Sequence, residues 1–192
     1  MLKTNRLILR EFESTQSDYQ AIFSIMSDKE VNKYLPWFPI KSTDDAKEFY
    51  KKRMLSKYER KSGYFFAICM KEDNIPIGYI TVGCETSHDF GYGLKKEHWN
   101  KGIVTEASEE VIKFLKLIGW KYITATHDIY NEASGKVMQK LGMEYKYSYE
   151  EQWQPKNITV TFRMYQLNLD GDRERVYKEY WNKHPVHFIE DI

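Results

Sequence analysis

The chain has 192 residues, 42% of them hydrophobic and 30% charged, with a formal net charge of +1. That composition suits one soluble globular domain with a sizeable core, and a near-zero charge without a basic stripe gives no reason to expect a nucleic-acid partner. Lys3, Arg6 and Arg10 are scattered through a beginning with no apolar leader, and no run of about 18 apolar residues occurs, so no membrane partner and a cytoplasmic location are expected.

In chain order, Leu7 to Glu13 alternates as a strand, and Ser17 to Ser27 has the apolar spacing of a helix ending before Asp28. The next stretch, VNKYLPWFPI, is aromatic and carries two prolines, which predicts an ordered loop. A second helix is predicted over Ser42 to Arg60, its start marked by Ser42, Thr43, Asp44 and Asp45 at the positively polarised end. Lys51 to Arg53 within it reads as a solvated face. Tyr64 to Met70 and Ile75 to Cys84 are β-rich runs joined by KEDN, a hairpin signal. Cys69 and Cys84 lie in these runs; with no CxxC and no paired histidines they are expected to be buried small hydrophobes, neither a disulfide nor a metal site.

Phe90 to Leu94 is a short strand, followed by a charged loop and a helix opened by Gly102. Val104, Ala107, Val111, Ile112, Leu115 and Ile118 share one face of that helix, and Gly119 ends it. Tyr122 to Asp128 is a strand, Glu132 to Leu141 a helix closed by Gly142, and Met143 to Gln152 with Thr159 to Leu169 a final strand pair. The expected architecture is α/β, a mixed sheet with helices on both faces, over residues 1–169. Residues 170–192 change composition to a short charged helix and an aromatic tail that belongs to the same domain.

The richest segment is Phe90 to Ala107, FGYGLKKEHWNKGIVTEA. A strand feeding a glycine turn into a helix start presents unpaired N–H groups and the positive end of a helix dipole, which together suit a phosphate or pyrophosphate. It is not a nucleoside triphosphate loop, because Gly102 is followed by Ile103, Val104 and Thr105 rather than Lys and a hydroxyl at the required spacing. Nor does GYG at 91 to 93 continue into the dinucleotide fingerprint.

HWNKGIVTEA followed by NEASGKVMQKLGM resembles the two acetyl-coenzyme A signatures of the GNAT N-acetyltransferases, and is most similar to their Rim-type branch, the RimJ/RimL-like ribosomal-protein alanine acetyltransferases. LKTNRLILREFE, SDKEVNKYLPW and IPIGYITV extend the resemblance over roughly residues 2–169. The pattern departs at the ends of its glycine loop, where Trp99 stands for the usual Gln or Arg and Val104 for the usual Gly or Ala. Valine adds bulk where the backbone approaches the pyrophosphate.

The resemblance implies the GNAT acyl-CoA N-acyltransferase fold, with acetyl-CoA as co-substrate and no metal. It implies transfer of the acetyl group to a primary amine, a protein N-terminus or a small molecule, by direct attack in a ternary complex; neither cysteine sits beside an obvious base that would favour a covalent route. The alternative is a non-catalytic CoA-binding or interaction module on the same fold. Gly93 and Leu94 would leave backbone groups for the pantetheine where the strand splays, although Gly91 and Gly93 also serve if they only relieve strand packing. Lys101, Gly102, Ile103, Val104, Thr105 and Glu106 would form the pyrophosphate cradle, mainly through main-chain N–H groups; Lys101 is either a phosphate contact or a solvated lysine.

Asn131 is an N-cap, a contact to the pantetheine arm, or both. Ser134 is the candidate general acid for the departing thiolate, or a capping residue in the first turn of its helix; Tyr130, Tyr145 and Tyr147 are reserve acids. Glu151 is the chosen general base from the strand after KLGM, with Glu150, His127 and Asp128 as alternatives. Tyr34, Leu35, Pro36, Trp37 and Phe38 are expected to border the acceptor groove, faced by Tyr149 and Trp153; the same aromatics also suit a core lid. A homodimer through the last strands and tail is compatible with the sequence.

Overall fold

The computed structural model describes residues 1–192. Strands β1 (Leu2–Lys3), β2 (Leu7–Glu11), β3 (Gly63–Met70), β4 (Pro76–Gly83) and β5 (Phe90–Leu94) form one antiparallel sheet in sequence order. Strands β6 (Tyr122–Asp128), β7 (Glu144–Trp153), β8 (Ile158–Asn168) and β9 (His187–Phe188) form a second, in the order β6-β8-β7-β9. The two meet at one parallel bridge, Asp89 to Thr124. The expected mixed arrangement is thus two antiparallel halves with its parallel element reduced to that bridge, and beyond it β5 and β6 part.

Alternation along each strand sorts its side chains into different cores. Phe66, Ile68, Ile80 and Val82 face a central core with Leu7, Leu9, Phe90 and Ile123, while Phe65, Ala67, Cys69 and Tyr79 face the opposite side. Helix α4 (Ile103–Leu117) buries Ile103, Ala107, Val111 and Leu115, spaced four apart on one stripe, against the central core, and α5 (Glu132–Lys140) adds Met138. Each fully buried aliphatic side chain of this kind contributes about 1.5–3 kcal/mol relative to exposure.

The second core lies under α1 (Gln16–Ser27), α2 (Thr43–Phe49), a π-helical stretch (Tyr50–Leu55) and α3 (Ser56–Arg60). Ser42 opens α2 with a reciprocal capping box to Asp45. The helix predicted over Ser42 to Arg60 has the expected extent, but its middle is wound to the wider π turn. A third core, Tyr147, Tyr149, Val160, Phe162, Met164 and Tyr177, is covered by the tail, in which α6 (Glu179–Lys183) is followed by β9 on the edge of β7. Glu190 fixes that tail by pairing with Arg163 and accepting from Ser148.

Cys69 is buried as expected, and burial pushes its thiol up to about 12; Cys84 is exposed, contrary to expectation, because β4 ends at Gly83 and leaves it beyond the sheet. No helix is long and apolar enough to cross a membrane.

Candidate active site

Two features of the splay face one another across the molecule's centre. On one side, β5 pairs only with β4 in the first sheet, so its other edge carries free backbone groups past the Asp89 bridge. Gly93 is required there, because an added Cβ would lie 2.5 Å from the Tyr79 ring. Trp99, the unusual first residue of the glycine loop, donates its indole N–H to the Leu94 carbonyl at 2.8 Å and so ties the loop to the end of β5.

Gly102 adopts the left-handed conformation at the start of α4, with φ of 70°, which favours glycine. No side chain caps the helix, and its first bond runs from the Glu106 N–H to the Gly102 carbonyl. The N–H groups of Ile103, Val104 and Thr105 are therefore open to an anion. A Cβ on Gly102 would meet only the Arg6 guanidinium, at 3.8 Å. Ile103 sends its side chain into the core and Val104 packs partly on it, so the valine's bulk is turned from the cradle. Lys101 is solvent-exposed, and its carbonyl accepts from Arg6 at 3.0 Å.

Glu106 does not offer its main-chain N–H to the cradle, because that group is bonded to the Gly102 carbonyl at 3.0 Å. Its carboxylate accepts from the Thr4 hydroxyl at 2.6 Å, the Arg6 N–H at 3.0 Å and Arg6 Nε at 2.6 Å. Burial alone would raise its pKa, but these donors together hold it below the usual carboxylate value. It braces the helix start against the β1–β2 turn.

On the other side lies a cavity of about 410 Å³ between the sheets, the loop at 28–42, the π-helical wall and the β7–β8 hairpin. Tyr34, Trp37, Phe49, Phe65, Tyr79, Trp153 and Phe162 give it aromatic walls. The Tyr34 hydroxyl donates to the Tyr130 carbonyl at 3.0 Å, bridging the loop to the β6–α5 turn. Trp37 is held by its indole N–H to Asn32 Oδ1 at 3.2 Å, with Arg53 over its ring. Arg53, expected on a solvated face, lines this cavity together with Phe49 and Lys57, four residues to either side along the π-helical wall. Phe38 does not line it; that ring is 60% exposed and turns to the outer side of the loop.

Asn131 and Ser134 sit at the α5 start in this cavity. Asn131 Oδ1 accepts from the Ser134 N–H at 3.3 Å, so Asn131 does act as the N-cap. The Tyr92 hydroxyl donates to the Ser134 carbonyl at 2.8 Å; with that proton in use, the Ser134 hydroxyl donates to Tyr92 Oη at 3.0 Å. Burial pushes the Tyr92 phenol well above its ordinary value, so it keeps its proton. Tyr92 was not singled out from sequence, where GYG reads as a backbone motif.

Two carboxylates line the cavity, Asp89 and Asp128, and the carboxyl of Asp89 is shifted. The Asp89 side chain is accessible from the cavity, and desolvation by the protein around it pushes its carboxyl up to about 6 against the pull of Lys57. Lys57 reaches the same face through a bond of 2.9 Å to Thr81 Oγ1, and Thr81 pairs with Gly91 across the strands. The only sequence signal for Asp89 was its place immediately before the glycine strand. Glu151, the base chosen from sequence, shares a face of β7 with Tyr149 and Trp153 but does not line the cavity, and neither does Glu150.

His127 reaches the cavity wall, yet its nitrogens are not presented to it. Nδ1 lies 2.8 Å from the Asp128 carbonyl and so carries the proton, while Nε2 is buried against Gly135 without a partner. Burial holds its pKa below the ordinary value, and the neutral ring serves as packing under α5. Asp128 lines the cavity, and its Oδ1 accepts from the Tyr130 N–H at 2.9 Å. Of the reserve acids, Tyr147 is buried in the third core, bonded to the Tyr177 carbonyl. Tyr145 pairs with Ser148 and the tail, and Tyr130 points to solvent.

A family model described as an acetyltransferase (GNAT) domain matches residues 6–144. The chain is 30% identical over 146 residues to the uncharacterized N-acetyltransferase YnaD of Bacillus subtilis, covering 74% of this chain and 81% of that protein. The crystal structure of a GNAT-family acetyltransferase from Bacillus anthracis superposes with a TM-score of 0.74 at 26% identity, over 88% of this chain and 98% of the other. RimL, a ribosomal L7/L12 alpha-N-protein acetyltransferase solved with coenzyme A, shares the fold at a TM-score of 0.74 and 15% identity, over 88% of this chain and 97% of its own.

Proposed function

The chain belongs to the GNAT acetyltransferase family and is an acetyl-CoA-dependent N-acetyltransferase, and from that premise we propose that its acceptor is the α-amine of a polypeptide, deprotonated by Asp89. The observation that carries this reading is the meeting of Asp89, Tyr92 and Ser134 in one aromatic cavity, beside the free edge of β5. A carboxyl at about 6 lies roughly two units below a typical α-ammonium and more than four below a lysine ammonium, so proton removal from the former is the smaller climb. The loop at 28–42 and the β7–β8 hairpin, joined at Lys156, border the cavity where the rest of the acceptor would lie. The relative RimL is named for such an acceptor.

The residues that would hold acetyl-CoA are the N–H groups of Ile103, Val104 and Thr105 for its pyrophosphate, the edge of Gly93 and Leu94 for its pantetheine arm, and the Asn131 side chain beside it. When bound, the thioester supplies the activated acetyl group. Asp89 takes a proton from the ammonium, and the neutral amine attacks the carbonyl; the backbone edge of β5 orients that carbonyl. As the C–N bond forms and the C–S bond breaks, the Ser134 hydroxyl, held by Tyr92, would give its proton to the departing sulfur and regain one from the nitrogen. The nitrogen thereby loses its second proton, while Asp89 releases the first to solvent. The aromatic walls exclude water.

The test is initial-rate thiol release with acetyl-CoA and matched acceptors: a short peptide with a free N-terminus, its N-formylated form carrying one lysine, and a simple polyamine. The reading expects the free N-terminus to be at least tenfold better in kcat/KM. Equal or greater use of the lysine peptide or the polyamine would remove it.

A further inference from the structure

Outside the acceptor cavity, the same loop and hairpin enclose a second cavity of about 510 Å³. They touch where Lys156 Nζ donates to the Asn32 and Lys33 carbonyls, at 3.2 and 3.1 Å. On one side of this contact lie Trp37 and Trp153 in the aromatic cavity; on the other lie Lys29, Lys33, Lys41 and Lys156, with Phe38 on the rim. Three of the lysines come from the loop at 28–42 and the fourth from the β7–β8 hairpin, and none is in an ion pair. No carboxylate lines this cavity. Of the acids on the same loop, Asp28 accepts from the Glu30 and Val31 N–H groups, Asp45 from the Lys41 and Ser42 N–H groups, and Glu30 is exposed outside it.

Lys156 is held by two carbonyls and Lys33 lies 5.0 Å over the Tyr34 ring, so both are fixed in place, and four cations around a concave surface with no carboxylate among its lining residues attract an anion. We propose that this lysine-lined cavity docks acidic side chains of the polypeptide acceptor, a few residues beyond the α-amine held in the aromatic cavity. The inference rests on the polypeptide reading above. A polypeptide is favoured over a nucleic acid because the cavity adjoins the acceptor site and is rimmed by an exposed phenylalanine, while the chain as a whole carries a charge of only +1. Charge pairs at such a rim act on capture of the acceptor, so their effect belongs in KM and fades with salt.

The test compares two eight-residue peptides with the same first three residues, one carrying Asp and Glu at positions four to seven and the other Asn and Gln, each assayed by thiol release at 50 and 500 mM salt. The acidic peptide should have about tenfold higher kcat/KM at low salt, through KM, and most of that preference should vanish at high salt. In the charge-reversed variant Lys29→Glu, Lys33→Glu, Lys41→Glu, the preference should turn toward a peptide bearing lysines at those positions, an inversion that misfolding cannot produce. Equal kcat/KM for the two peptides, or an acidic preference surviving the reversal, overturns the docking site while leaving the polypeptide reading intact. Acetylation of small amines with no acetylation of either peptide overturns both. Stronger inhibition by a short RNA than by an acidic peptide of equal charge, lost in the reversed variant, assigns the cavity to nucleic acid and overturns the proposal.

Discussion

Arg6 and Glu106 are a hundred residues apart in sequence, yet the Arg6 guanidinium and N–H both bond the Glu106 carboxylate while a second guanidinium nitrogen holds the Lys101 carbonyl. One residue of the β1–β2 turn therefore fixes both sides of Gly102. Arg6→Met should lower stability by about 1 kcal/mol, the modest value suited to a half-exposed pair, and should weaken coenzyme A binding by roughly tenfold. Pantetheine, which lacks the pyrophosphate, should bind the variant and the parent equally. Calorimetric titration with both ligands checks this, and a parallel loss for pantetheine would mean the whole cofactor groove had shifted. Because Glu106 is held below its ordinary pKa in the folded chain, its contribution is present above the unfolded carboxylate range and disappears as pH falls through the depressed value.

Asp89 should set the acid limb of the pH profile. With its carboxyl near 6, kcat/KM should fall below about that pH, where the base is protonated. Asp89→Asn should reduce kcat by about a hundredfold or more. Lys57 opposes the upward push, so Lys57→Met should move the limb to higher pH. Glu151→Gln and His127→Gln should leave the limb where it is; a shifted limb in Glu151→Gln would restore that residue to the mechanism.

Tyr92 and Ser134 share one hydrogen-bonded unit. Tyr92→Phe and Ser134→Ala should each reduce kcat by about ten- to a hundredfold, and the double variant should lose little more than the worse single one. Full additivity in that cycle would separate their roles.

Trp37→Ala should raise the acceptor KM several-fold with coenzyme A affinity unchanged, because the ring lines only the aromatic cavity. Binding by calorimetry and steady-state rates resolve the two quantities.

Gly135→Ala places a Cβ 2.7 Å from His127 Nε2 and 2.9 Å from Cε1, both buried. Overpacking of this kind costs about 1–3 kcal/mol. Chemical denaturation should show it, and Gly142→Ala gives no useful control because Gly142 is left-handed at φ 77°.

Local pattern carried much of the molecule. Phe90–Leu94 and Tyr122–Asp128 have the predicted bounds, and α4 buries Ala107, Val111 and Leu115 of its predicted stripe, while Val104 and Ile112 are half-buried, Ile118 is exposed and Ile103 joins the core instead. The uncapped helix start after Gly102 was legible for the same reason: a glycine at a helix start is a local statement. Phe38 and Trp37 are adjacent, but which of them faces the acceptor cavity depends on how the loop packs against the hairpin at Lys156. Glu151 looked suitable by position along its strand, and only the pairing of β7 with β8 and the covering tail removed it from the cavity.

By itself the sequence determined the elements, their order and the glycine turn at the start of α4, because these follow from periodicity, capping and backbone freedom within a few residues. Tertiary structure alone brought Asp89, Tyr92 and Ser134 to one cavity and tied Glu106 to Arg6. Such groupings join side chains far apart in the chain, and a carboxyl acquires its pKa only from the surroundings that the fold builds around it.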